Sequence, residues 1–147
     1  MFVDRVAIAF DAGHRLLGYP GKCASPHGHT FTAEVLIAGR DLDSLGLVVD
    51  FGDVKGPLKR WIDEQWDHGF LLNDRDGALI EASAAVPEAK LYLFQDANPS
   101  AEVMARELYG VARERMGEVV RSVRIWESPH QYAEYRPDAQ SDWAQGA

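Results

Sequence analysis

Five histidines occur in this chain, and three of them stand where imidazole could do chemistry. His27-Gly-His29 places two imidazoles on one face of an extended segment, with Cα atoms roughly 6.5–7 Å apart. At that separation both rings can converge on one ion at metal–nitrogen distances of about 2.0–2.1 Å. Gly28 between them leaves room for other backbone or a ligand to approach. His14 ends an earlier segment in the same apolar phase. Three neutral nitrogen donors without a carboxylate suit zinc and leave one coordination position free. The competing reading is a set of ordinary strand histidines with ordinary hydrogen bonds.

Cys23 is the sole cysteine and stands four residues before His27. It admits three readings: a fourth zinc ligand closing the site, a free thiol serving as base or nucleophile beside an open site, or an inert buried thiol. Asp67-His68 pairs a carboxylate with an imidazole it could orient, although sequence neighbours often point apart and polar loops are common. Glu127 lies in phase with Val123 and Ile125. It would therefore point inward at a strand end, where a carboxylate needs a partner or a ligand. His130 lacks such a context and reads as a surface residue. Lys22 and Arg15 qualify as anion-binding cations by position alone.

These residues need elements to carry them. Residues 2–14 alternate as a strand, with Phe2, Val6, Ile8, Phe10, Ala12 and His14 on one face and Asp4 interrupting it. Gly and Pro fill the loop 18–26. A second strand, 27–38, has His27, His29, Phe31, Ala33, Val35 and Ile37 in phase. Paired antiparallel, the two strands would bring the three histidines together. A helix over about 53–65 follows, with Val54, Leu58, Trp61 and Ile62 at helical spacing. Residues 66–73 read as a loop, 74–90 as irregular and 92–94 as a brief strand. Asn98-Pro-Ser100 opens a second helix, with Pro99 suited to its first turn and Val103, Met104, Leu108, Val111 and Met116 as the apolar set. Strands 119–126 and 131–136 close the chain. The order predicts an α+β domain over 1–136, with a four-stranded antiparallel sheet carrying two helices on one face. An oligomer would cover the other face. Residues 137–147 read as a polar tail.

Length and composition agree with one domain: 147 residues, 46% hydrophobic and 26% charged. A net charge of −8 argues against nucleic acid. No apolar run reaches the ~20 residues of a membrane span, and the N-terminus lacks a signal-peptide pattern. A single cysteine excludes an internal disulfide and suggests the cytoplasm.

Six motifs in order resemble the 6-pyruvoyltetrahydropterin synthase and 6-carboxytetrahydropterin synthase family. They are Phe10-Asp-Ala-Gly-His14, Cys23-x-x-x-His27-Gly-His29, Val48-Val-Asp-Phe-Gly-Asp-Val54, Asp67-His68, Pro99-Ser-Ala-Glu102 and Trp126-Glu-Ser128. The resemblance implies zinc on His14, His27 and His29, and Cys23 as catalytic proton acceptor. It implies that Asp67 and His68 modulate Cys23, from a neighbouring subunit. Glu127 would anchor the amino-pyrimidine ring of a pterin, and Ser100 stands where the family often has threonine near that ring. The implied fold is the tunnelling fold, in which sheets of several subunits, six by resemblance, close into a barrel.

The implied substrate is 7,8-dihydroneopterin triphosphate. One branch of the family makes 6-pyruvoyltetrahydropterin. The other also releases acetaldehyde and makes 6-carboxy-5,6,7,8-tetrahydropterin for queuosine and other 7-deazapurines. Three residues between Cys23 and His27, where the biopterin-forming branch usually has five, favour the carboxy-forming lyase. The pyruvoyl-forming activity and a non-catalytic zinc or pterin binder are the alternatives. Two departures from the family pattern bear on the substrate side chain. The stretch from His68 to Asn73 is one residue longer than the common pattern, and 74–90 is longer than in a minimal member.

Overall fold

The computed structural model describes residues 1–137; beyond Pro137, the tail expected from the sequence lies outside the described residues. Two long strands, β1 (Phe2–His14) and β2 (His27–Gly39), form an antiparallel hairpin at the centre. Helix α1 (Phe51–Gln65) leads to strand β3 (Gly69–Asn73), helix α2 (Gly77–Ala84) and strand β4 (Leu91–Phe94). Helix α3 (Ala101–Met116) then precedes β5 (Val120–Ser128) and β6 (Gln131–Tyr135). The strands form one six-stranded sheet in the order β4-β3-β1-β2-β5-β6.

The α+β class and the central hairpin agree with the sequence, and several expectations are corrected. The sheet has six strands rather than four, and it is mixed, because β3 runs parallel to both β1 and β4. Residues 69–73 are thus a strand, not a loop. Their Phe70-Leu-Leu72 run lacks alternation because a strand inside a parallel array is apolar on both faces. Within 74–90, expected to be irregular, α2 makes the crossover that parallel strands require. A third helix therefore joins the expected two. None of its residues is buried, so it leaves no apolar stripe to read.

Each helix starts on a side-chain cap. Asp50 accepts from Gly52 N–H for α1, Asp76 from Leu79 N–H for α2 and Ser100 from Val103 N–H for α3. The α3 cap is Ser100 itself, so Pro99 precedes the helix instead of occupying its first turn. Core residues on α1 (Val54, Leu58, Ile62) and α3 (Met104, Ala105, Leu108, Ala112) pack against Val6, Ile8, Phe10, Phe31, Val35 and Ile37 of the hairpin. The in-phase residues of both long strands are buried as expected, save Phe2, which lies exposed at the strand start, and His27 and His29, which are half-buried. No described helix is long and apolar enough to cross a membrane.

The opposite sheet face carries charge. Glu34, only 5% exposed, meets Arg5 Nε at 2.8 Å and Arg124 at 3.6 Å. Arg124 continues to Glu134 at 3.1 Å, and Glu134 to Arg136 at 2.9 Å. Burial works against the charge on Glu134, but bonds from Ser122, Arg136 and Arg124 outweigh it and hold the carboxyl below its usual range.

Candidate metal centre and proton-transfer residues

Strand register builds the centre. β1 and β2 pair so that His14 faces His27, Ala12 faces His29 and Phe10 faces Phe31. Partners in an antiparallel pair share a face, so the three imidazoles emerge together at one end of the hairpin. One ring nitrogen from each lies within 4.8 Å of the others. Phe31 lies beneath them, edge-on to His14 at 5.5 Å and to His29 at 5.2 Å between centroids. Gly28 sits between the two β2 ligands because a Cβ there would come within 3.1 Å of the Ala12 carbonyl oxygen.

Hydrogen bonds at the rear of the rings settle which nitrogens face inward. His14 Nδ1 is 2.8 Å from the Pro99 carbonyl oxygen, and His27 Nδ1 is 2.7 Å from that of Ser25. A carbonyl only accepts, so both Nδ1 atoms carry the proton and both Nε2 atoms present bare lone pairs. Those two Nε2 atoms lie 3.1 Å apart. Neutral imidazoles in these tautomers cannot bond one another there, whereas a tetrahedral zinc site separates its nitrogens by about 3.3 Å. A shared proton would need an imidazolium. Burial pushes the 2%-exposed His14 below the ordinary histidine range, and the Pro99 carbonyl and Glu127 charge do not restore it. Burial likewise lowers His29. The donor set therefore fits a divalent cation that accepts three neutral imidazoles.

Cys23 is not part of this cluster. It lies half-buried in a short 3-10 turn, Lys22–Ala24, between the two ligand-bearing strands. Its carbonyl accepts from Leu16 N–H at 2.8 Å, which closes the loop two residues beyond His14.

Asp67 and His68 do pair, despite being sequence neighbours. His68 Nδ1 donates to Asp67 Oδ2 at 2.7 Å. The backbone makes this possible through a left-handed φ of 56° at His68. Asp11 braces both residues: its N–H donates to Asp67 Oδ1 at 3.0 Å, and its carbonyl accepts from His68 N–H at 2.7 Å. Lys90 Nζ donates to the carbonyls of Asp63 and Asp67, each at 2.7 Å. Burial pushes the Asp67 carboxyl up, but the Asp11 N–H, His68 and Lys90 together bring it below its usual range. The His68 side chain is 77% exposed and shares a depression with His29, Asp11, Thr30 and Lys90.

Glu127 faces the same side as the histidines, and its charge reaches both His14 and His29. It lines a cavity of about 260 Å³ with Leu16, Ser100, Gln131 and Tyr132. The Ser100 hydroxyl is engaged as the α3 cap, accepting from Val103 N–H at 3.3 Å. His130 is exposed, as expected. Arg15, a candidate anion-binding cation, is committed elsewhere: it grips the buried Asp76 carboxylate through two bonds of 2.5 Å. Lys22 is exposed.

Lys90, Asn98, Asp76 and the carbonyls of Ser25 and Pro99 carry much of the positioning, and residue type alone does not single them out. Asp11 and Pro99 do fall inside recognised motifs. Their positioning bonds run through backbone atoms, which no side-chain pattern reports.

The sequence profile of the family described as 6-pyruvoyl tetrahydropterin synthase matches residues 5–138. A Rickettsia bellii protein named 6-carboxy-5,6,7,8-tetrahydropterin synthase is 35% identical over 131 residues, covering 86% of this chain and 94% of the relative. A Haemophilus influenzae protein of the same name is 30% identical, covering 92% and 99%. Among solved structures, the 6-pyruvoyl tetrahydropterin synthase of Caenorhabditis elegans superposes with a TM-score of 0.68 at 21% identity, covering 93% of this chain and 96% of that one. An uncharacterized Wolinella succinogenes protein superposes at 0.73 and 23% identity, covering 94% and 100%. Both show the same fold.

Proposed function

The chain belongs to the 6-pyruvoyl tetrahydropterin synthase family, and we propose that it is a zinc-dependent lyase converting 7,8-dihydroneopterin triphosphate to 6-carboxy-5,6,7,8-tetrahydropterin, with release of triphosphate and acetaldehyde. The observation that carries this reading is the pair of opposed Nε2 lone pairs in a three-histidine set that Cys23 does not join. Relatives sharing 30–36% identity over most of the chain bear the name of that synthase, which supports the carboxy-forming branch.

His14, His27 and His29 would hold zinc through Nε2 of the first two and a ring nitrogen of the third. Bound there, zinc would supply Lewis acidity toward the hydroxyl and keto oxygens of the substrate side chain. Glu127 would fix the pterin, its two carboxylate oxygens accepting from the 2-amino group and N3–H. The Glu127 cavity lies beside the α3 N-terminus, with Ser100 at its wall. Cys23, as thiolate, would take a proton from the side-chain carbon and return it at the neighbouring position. Asp67 keeps the proton of His68 on Nδ1, which leaves Nε2 able to exchange protons with the thiol.

The exposure of His68 fits a pair that completes its site against a second copy of the chain. Among the described residues, the outer strands β4 and β6 each have one neighbour, which suits closure of the sheet between copies. We therefore assign a homo-oligomer, a hexamer by resemblance, with sites at subunit interfaces. A reducing cytoplasmic setting would keep the single thiol available.

The test is product identity. Zinc-loaded protein incubated with 7,8-dihydroneopterin triphosphate should yield the 6-carboxy product and equimolar acetaldehyde by mass spectrometry. A pyruvoyl product without acetaldehyde would place the chain in the other branch. No turnover, together with loss of zinc from Cys23→Ala, would make it a binder whose cysteine closes the metal site.

A further inference from the structure

The loop 15–26 carries Cys23 and is tied down by groups distant in sequence. Asn98 makes the most complete of these ties. Its Oδ1 accepts from Leu17 N–H at 2.9 Å, and its Nδ2 donates to the Leu17 carbonyl at 3.0 Å. The amide thus pairs with both backbone groups of Leu17, as a strand neighbour would. Asn73, at the end of β3, donates Nδ2 to the same Oδ1 at 3.2 Å and fixes the orientation of the Asn98 amide. From Leu17 the connection to the thiol is short, because the adjacent Leu16 N–H donates to the Cys23 carbonyl. The residue after Asn98 is Pro99, whose carbonyl holds the His14 ring.

We propose that Asn98 is a positioning residue that fixes the Cys23 loop relative to the three-histidine cluster, so that one short segment sets both the His14 tautomer and the place of the thiol. The two tasks are separable. The hold on His14 comes from a backbone carbonyl, which no side-chain change at position 98 removes. The hold on Leu17 comes from the Asn98 side chain alone. Arg15 contributes to the same loop through the buried Asp76, but Arg15 acts at its base, whereas Asn98 acts where the loop turns toward Cys23. The proposal rests on reading Cys23 as the thiol that moves protons.

Because Cys23 is the only cysteine, its alkylation by iodoacetamide reports on this loop without ambiguity. In the zinc-loaded full chain, Asn98→Ala should raise the alkylation rate about tenfold, as expected when paired hydrogen bonds that limit local opening are lost. Zinc content should stay at the wild-type level, and kcat should fall with little change in KM. Val54→Ala, which loosens the core under α1 and touches none of these groups, should leave alkylation within about twofold of wild type because distant sites act independently. Asn98→Asp keeps an acceptor for Leu17 N–H and loses the donor, so it runs the same test in a variant that preserves half the pairing.

An unchanged alkylation rate in both Asn98 variants would overturn the proposal. So would an equal rise in Val54→Ala, because Cys23 would then be reporting general loosening. If alkylation rises in the Asn98 variants but the wild type makes no 6-carboxy product, Asn98 still positions the loop while the lyase reading falls.

Discussion

The histidine cluster and the Asp67–His68 pair are both hydrogen-bonded arrays of titratable groups, yet they are built on opposite principles. The cluster is buried at His14 and half-buried at His27 and His29, rests on Phe31, and takes its geometry from the register of two long strands. Carbonyls of Pro99 and Ser25 set its tautomers. The pair stands on a tight turn with a left-handed residue, and its imidazole is mostly in solvent. Its anchors act on Asp67 and on the His68 backbone, while the far side of the His68 ring is open. A metal site must be preorganised before its ion arrives. A proton-exchanging group needs an open side, which a substrate or a second subunit then covers. On the proposed reading, one chain positions all three metal donors, whereas the Asp67–His68 pair is only half enclosed by it.

The largest effect that would break this contrast is at the cluster. His27→Ala should lower zinc affinity by more than the 10–100-fold that loss of a mere outer partner costs, and should abolish turnover. Zinc analysis after dialysis checks it, and full retention of zinc would show that the cluster is not the metal site. Next comes Asp67→Asn, which should lower kcat by about 10²–10⁴-fold, the range for a general acid–base contribution, with zinc content unchanged. If zinc is lost as well, the two regions are not independent.

Arg15→Met probes the tie between the residue after His14 and the α2 N-cap Asp76. It strands the Asp76 carboxylate, which is 1% exposed, and should destabilise the fold by about 3–5 kcal/mol at neutral pH in denaturant unfolding. The Arg15 contact outweighs burial and holds Asp76 below the usual carboxylate range. A carboxyl that is more acidic when folded stabilises above its unfolded value, about 4, and loses that contribution as pH falls through the folded value. Without Arg15, burial instead raises the Asp76 carboxyl, so the gap between wild type and variant should be largest near neutral pH and shrink as the pH falls into the acid range. A gap independent of pH would contradict the assignment.

The smallest expected effect is at Lys90→Met. Two backbone carbonyls lose their donor, and kcat should fall about threefold to tenfold without change in zinc content, in keeping with the loss of one or two hydrogen bonds.

Legibility follows the same division. The cluster is legible in the sequence because alternation along two strands assigns a face to every residue, and His14, His27 and His29 share the phase of buried neighbours. β3 escapes because Phe70-Leu-Leu72 has no phase, and α2 because it buries nothing. The ties that position Cys23 and Asp67 are equally hidden. Asn98 meets Leu17 across 81 positions and Arg15 meets Asp76 across 61, and no local pattern announces a partner at that distance. Asp67–His68 is visible as a motif, but its hydrogen bond depends on a backbone turn that residue types do not report.

The proposed function requires the three histidines to form an open zinc site with Cys23 outside the coordination shell. X-ray absorption at the zinc K edge of the loaded protein tests it most directly. An open site should show nitrogen and oxygen neighbours at about 2.0–2.1 Å with no sulfur shell, and the same spectrum for Cys23→Ala. A sulfur neighbour at about 2.3 Å that disappears in that variant would contradict it.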